Sequence, residues 1–157
     1  MANRRGPRPE SILSRAAALE NLTTWIIAAS IAKDERAFGW FLHYAADRIP
    51  VEEKVKLLGE IVTELPEPTV VYSEFLDDLR FINRVRVQVA HSVFIFAGFD
   101  SLGAGYVNFK KGKPRRMSDD DLRTQVADAT KRAKRAGTAF SAIVREAGLP
   151  FSPPPLS

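Results

Sequence analysis

Residues 75–91 of this chain read FLDDLRFINRVRVQVAH. On an α-helix, where consecutive residues are about 100° apart, Leu79, Ile82 and Val89 lie within about 40° of Phe75. An apolar stripe with this period is typical of a helix that packs one side against a core. We therefore predict a long helix here, with its stripe facing other helices.

Helical spacing of apolar residues recurs along most of the sequence. Proline separates the segments, as at Pro50 and Pro66, because it does not fit a helix interior. Ser118 and the three aspartates after it have the composition of a helix start, and Gly137 is a candidate interruption of that last helix. Helices are predicted over residues 11–31, 34–47, 51–65, 69–91 and 118–147, and two β-prone runs over 93–96 and 106–109. The predicted fold class is all-α, a bundle of four to five helices with a small β-hairpin before the last helix.

Length and composition are those of one globular domain. With 157 residues, 45% of them hydrophobic and 27% charged, the chain can bury a core. We expect a single helical domain over residues 10–149, a disordered basic tail over 1–9 and a proline-rich flexible tail over 150–157. The absence of cysteine excludes disulfides and thiol chemistry and fits the cytoplasm. No apolar run reaches the ~20 residues of a membrane span.

The formal net charge of +4 is unevenly distributed. Eight basic residues belong to the N-terminal tail and to one predicted loop: Arg4, Arg5, Arg8, Lys110, Lys111, Lys113, Arg115 and Arg116. Without them, 15 basic residues face 19 acidic ones, so the body of the domain carries −4. A basic loop on an acidic body is a candidate contact for a phosphate backbone. A further basic run, residues 131–135, is interpreted as the solvated face of the last helix.

Arg86 interrupts the apolar stripe of the long helix, at about 20° from Phe75. Burying an unpaired guanidinium is costly. We therefore expect Arg86 to extend its head to water, to pair with a carboxylate, or to serve a site between helices.

Five residues after Arg86 comes His91, preceded by Ala90, at the predicted end of the same helix. This R-x4-H pattern in an all-α chain resembles the HEPN superfamily (higher eukaryotes and prokaryotes nucleotide-binding domains). The signature of that family has Arg, a polar residue (often Asn), two or three variable positions and then Ala-His. The likeness extends more loosely over residues 17–92. Val87 departs from the signature, because the family often has a polar residue there.

The resemblance implies an HEPN-like, metal-independent endoribonuclease, a toxin or defence component. His91 would accept a proton from a ribose 2′-OH or donate one to the leaving 5′-oxygen. Arg86 would hold the scissile phosphate. The products would be a 2′,3′-cyclic phosphate and a 5′-OH. Family members usually dimerise with their motif helices facing each other, so a homodimer is expected, with a cognate antitoxin or regulatory protein as a further partner.

Helix geometry complicates this assignment. Arg86 and His91 are about 140° apart on a straight helix, whereas Arg84 and His91 are about 20° apart. Either the helix distorts near its end, or the Arg86 side chain curls round, or a second chain completes the site. Arg86 is the residue that matches the motif, and Arg84 is the one that the geometry favours. The predicted catalytic pair is Arg86 and His91.

The remaining site predictions concern RNA binding. The basic segment starts just after the predicted hairpin, which itself starts two residues after His91. We expect RNA contacts from Arg84 and from the basic segment: Lys110, Lys111, Lys113, Arg115 and Arg116. No metal and no cofactor is expected, although His43 and Asp47 have the i, i+4 spacing of two metal ligands. Trp25 and Trp40 are interpreted as core residues.

Two alternative functions stay open at this point. The first is a non-catalytic HEPN-like module that binds RNA, a nucleotide or a protein, with Val87 marking a repurposed site. The second is a regulator of the mannitol-repressor type that acts through partners. Direct sequence-specific DNA binding is not expected, because no convincing recognition helix is found.

Overall fold

A computed structural model describes residues 10–64, 72–95, 105–108 and 115–146. The predicted tails, and Lys110, Lys111 and Lys113, lie outside these residues. The helices are α1 (Glu10–Ile31), α2 (Glu35–Trp40), α3 (Val51–Thr63), α4 (Tyr72–Ala90) and α5 (Asp119–Glu146). The strands are β1 (Ser92–Ile95), β2 (Gly105–Asn108) and β3 (Arg115–Met117). The all-α helical bundle is thus confirmed.

Four helices, α1, α3, α4 and α5, surround one hydrophobic core. The predicted stripe of α4 is buried, with Phe75, Leu79 and Ile82 at most 5% exposed. Phe75 meets Phe140 of α5 edge to face, with ring centroids 4.9 Å apart. Burial of each such side chain contributes about 1.5–3 kcal/mol, so this stripe fixes how α4 sits in the bundle.

Helix α5 starts as its composition predicts and continues without a break. The Ser118 hydroxyl accepts a hydrogen bond from the Asp121 backbone N–H at 3.1 Å, which satisfies one of the free donors at the helix start. Gly137 does not interrupt the helix. A Cβ placed on Gly137 would meet no atom within 4 Å, so nothing inside the described structure requires glycine there.

The segment after α2 differs from the prediction of one helix over residues 34–47. The α-helix ends at Trp40, and a π-helical turn (Phe41–Ala45) and a 3-10 turn (Ala46–Arg48) follow. Trp25 is buried as predicted, but Trp40 is 61% exposed, so its interpretation as a core residue is wrong. The reason is geometric: Phe38 packs against the core, and Trp40 lies two residues, about 200°, away from it.

The predicted hairpin is present and has a third strand. β1 pairs antiparallel with β2, and β2 pairs antiparallel with β3. Residues 115–117 therefore belong to a strand and not to a loop, which corrects the prediction for Arg115 and Arg116. A three-residue strand is too short to show a period in the sequence. It forms because the free edge of β2 offers backbone hydrogen bonds.

Candidate functional site

The Arg86 side chain faces α1 and pairs with a carboxylate, one of the three outcomes expected from the sequence. Its Nη1 donates to Glu20 Oε2 at 2.8 Å. The other carboxylate oxygen of Glu20 accepts from Lys54 Nζ of α3 at 3.0 Å. The Glu20 carboxylate is thus shared by two cations and joins three helices.

Burial makes this triad of Glu20, Lys54 and Arg86 a structural feature of the bundle. The Lys54 side chain is 5% exposed, that of Glu20 is 24% exposed and that of Arg86 is 30% exposed. The cavity beside the triad has a volume of about 20 Å³, the size of one water molecule and too small for an organic cofactor. Arg86 is therefore engaged inside the protein, and a phosphate that approached it would compete with Glu20.

His91 lies at the opposite side of the same helix end. Its backbone N–H donates to Val87 O at 3.1 Å, so helical hydrogen bonding continues to His91. The imidazole is exposed and has no hydrogen-bond or ion-pair partner within the described part of the chain. The imidazole is therefore accessible to a bound molecule.

The structure does not bring Arg86 and His91 together within one chain. α4 is a regular α-helix up to Ala90, so the two positions stay about 140° apart. Arg84 lies within about 20° of His91, about 10 Å away along the axis. Among the predicted site residues of α4, Arg84 is thus the cation on the side of His91. Completion of the motif by a second chain stays a prediction.

Arg84 is held at the surface by an aromatic ring. Its guanidinium lies 5.3 Å from the centroid of the Phe81 ring, and the guanidinium of Arg132, from α5, lies 4.2 Å from the same centroid. Contacts of this kind are favourable because the ring face is negative. Arg84 has no ion pair among the described residues, so its charge is available to an anion.

The sheet register places the end of the basic segment beside the motif. Ser92, the residue after His91, is paired with Asn108, and Asn108 is paired with Arg115. Since neighbouring strands are about 4.8 Å apart, Arg115 lies about 10 Å from Ser92 across the sheet. In the next row, Val93 is paired with Val107, and Val107 is paired with Arg116.

Side-chain contacts fix the end of α4 to the sheet. Gln88 Nε2 of α4 donates to Met117 Sδ of β3 at 3.0 Å. Met117 is half-buried against the core, and Val107 of β2 is 8% exposed. The sheet therefore has a defined position relative to α4. The backbone positions of Arg84, His91, Arg115 and Arg116 belong to one region, which we call the α4–β3 surface.

A buried ionic cluster between α4 and α5 was not predicted. Asp78 is 1% exposed and accepts from Arg135 at 2.6 and 2.7 Å and from Arg132 at 3.2 Å. Arg135 also pairs with Glu74. The hydrogen bonds to Asp78, above all, raise the pKa of Arg135. The basic run of α5 is thus only in part the solvated face expected from the sequence.

The structure offers no metal centre in its described part. No three histidine or acidic side chains come together there in a way that would hold an ion. His43 instead meets Tyr44 edge to face at 4.9 Å. The helices described also include none with the length and apolar character that a membrane span requires.

The chain matches no protein-family model, no curated protein and no solved structure. The resemblance to HEPN domains therefore rests on residues 86–91 and their helical context.

Proposed function

We propose that this protein is an HEPN-like RNA-binding module that holds single-stranded RNA on the α4–β3 surface. The observation that carries the proposal is the cross-strand row of Ser92, Asn108 and Arg115, which brings the end of the basic segment to within about 10 Å of the residue after His91. Arginine is well suited to phosphate because its planar guanidinium donates several hydrogen bonds at once.

The chemistry of the surface favours RNA binding over cleavage within one chain. Arg86, the motif residue that would hold the scissile phosphate, is occupied by Glu20 at 2.8 Å. Val87 offers no polar side chain beside it. Arg84 and His91 remain as exposed groups on one side of the helix. A phosphate bound there would meet an arginine and an imidazole, but not the complete motif.

A metal-independent endoribonuclease is the second candidate, favoured by the exposed imidazole of His91. In this alternative His91 moves the proton, and the phosphate is held by Arg84 or by Arg86 of the partner subunit in a dimer. Cleavage by attack of the 2′-OH would leave DNA uncut, since DNA lacks that nucleophile.

One assay separates the two candidates. Labelled single-stranded RNA is incubated with the protein in EDTA, and both binding by fluorescence anisotropy and strand integrity on a denaturing gel are measured. The RNA-binding proposal predicts saturable binding with intact RNA, and weaker binding by Arg84→Gln. Cleavage to 5′-OH fragments that His91→Ala abolishes would establish the endoribonuclease instead. Absence of RNA binding, with RNA left intact, would refute both.

A further inference from the structure

An open groove separates the first half of α1 from the second half of α5. Its volume is about 710 Å³, within the range of about 300–1,000 Å³ in which small-molecule sites lie. Leucine and alanine side chains form its floor, and hydroxyl and cationic side chains form its rim. The groove shares no residue with the α4–β3 surface.

Two cations on the rim have no counter-ion among the described residues. Arg15 of α1 and Lys134 of α5 both line the groove and are both exposed. Neither forms an ion pair with any described residue, and no acidic residue is among those that line the groove. Most other cations of α5 are paired, as are Arg123, Arg132 and Arg135. The groove therefore attracts anions.

Hydroxyl groups on the rim present acceptors to a ligand. Ser14 donates to the Ser11 carbonyl at 3.2 Å, and Thr138 and Ser141 each donate to a carbonyl of their own helix at 3.3 Å. A hydroxyl that donates to the backbone keeps its lone pairs for an incoming O–H or N–H group. A ligand with hydroxyl groups of its own suits this rim.

Gly137 leaves the backbone of α5 accessible from the groove. It lies in the middle of the 28-residue helix α5, where glycine is less favourable than alanine. A Cβ at this position would meet no atom within 4 Å, so no neighbour in the described structure excludes a side chain. The α5 backbone at Gly137 is therefore open to the groove, and a bound molecule can approach it closely.

We propose that this groove binds a small phosphorylated molecule with free hydroxyl groups, such as a sugar phosphate or a nucleoside monophosphate. A phosphate monoester carries about −1.5 to −2 charges at pH 7, which the charges of Arg15 and Lys134 balance. The hydroxyl groups of the sugar donate to Ser14, Thr138 and Ser141. The sugar lies against the backbone at Gly137.

The experiment is isothermal titration calorimetry of the full chain with two phosphorylated probes, ribose 5-phosphate and AMP. Ribose and adenosine are titrated as the matched compounds that lack the phosphate. At least one phosphorylated probe binds saturably, and its counterpart without phosphate binds at least about tenfold more weakly, since a charged hydrogen bond contributes about that factor. Gly137→Leu fills the groove, and Arg15→Gln with Lys134→Gln removes its charge. Each of these two changes weakens binding by about tenfold or more.

Matched controls separate occupancy of the groove from general effects. Gly39→Leu also adds a side chain to a helical glycine whose Cβ would meet no atom within 4 Å. Lys33→Gln with Arg145→Gln removes the same two charges from outside the groove. Both controls retain binding. The proposal is overturned if neither phosphorylated probe saturates at millimolar concentration, or if both groove variants bind as well as the controls.

Discussion

Replacement of Glu20 by glutamine tests whether Arg86 serves the fold. The change keeps the shape of the side chain but removes the charge that Lys54 and Arg86 share at 3.0 and 2.8 Å. Lys54 then stays inside the bundle with its side chain only 5% exposed and no carboxylate. Arg86, at 30% exposed, can turn part of its guanidinium to water.

The expected cost follows from this burial. Breaking a buried ion pair costs about 3–5 kcal/mol, and breaking an exposed pair costs about 0–1 kcal/mol. Lys54 is near the buried limit, while Arg86 and Glu20 lie between the two. We expect Glu20→Gln to lower the free energy of unfolding by about 3 kcal/mol, which is about a 100-fold change in the folding equilibrium.

Urea denaturation followed by circular dichroism measures this change, with Glu53→Gln as its control. Glu53 also pairs with a lysine, Lys56, at 2.7 Å, but both side chains are more than half exposed. The control is expected to cost less than about 1 kcal/mol. In the double variant Glu20→Gln with Lys54→Met, part of the loss is recovered because the buried charge is gone. Equal effects of Glu20→Gln and Glu53→Gln would refute the structural role of the triad.

Two further predictions concern contacts between α4 and α5. Asp78→Asn is expected to lower the free energy of unfolding by about 2–4 kcal/mol, because it weakens the buried contacts to α5. The control Asp77→Asn, at an exposed position, is expected to change it by less than about 1 kcal/mol. Equal changes for the two variants in urea denaturation would contradict this prediction. Burial, and secondarily the charge of Glu146, raise the pKa of Tyr72. Above pH ~10 the unfolded chain then loses the Tyr72 proton more readily than the folded one, so stability falls with rising pH. In Tyr72→Phe, the melting temperature should fall less steeply as the pH rises above ~10. The same fall in both proteins would contradict this prediction.

Much of the fold was predictable because apolar spacing reports burial directly. The apolar stripe of α4 predicted which side of that helix packs against the core, and similar spacing in the other segments predicted a helical bundle. The π turn after Trp40 and the third strand were not predictable in the same way. Both depend on backbone hydrogen bonds with neighbours, and neither is long enough to show a period.

The positions of the candidate site residues on α4 were predictable from the sequence, but their side-chain contacts with other helices were not. Helix geometry alone places Arg86 about 140° from His91 around the helix axis, and Arg84 within about 20° of His91. The choice of Glu20 as the partner of Arg86 depends on packing between residues 66 positions apart, which no local pattern reports. Asp78 could have been found, since it lies about 60° from Phe75, at the edge of the stripe, where a carboxylate needs a partner.

The salt dependence of RNA binding tests the central claim most directly. Binding to single-stranded RNA weakens with salt in proportion to the number of phosphates contacted, by about 0.7 in logarithmic slope for each. For Arg115→Gln with Arg116→Gln, we predict a slope that is shallower by about 0.7 for each of the two arginines that contacts a phosphate, measured by anisotropy from low to moderate salt. Arg36→Gln with Arg48→Gln removes the same charge elsewhere and should leave the slope unchanged. Equal slopes for the two double variants would contradict RNA binding at the α4–β3 surface.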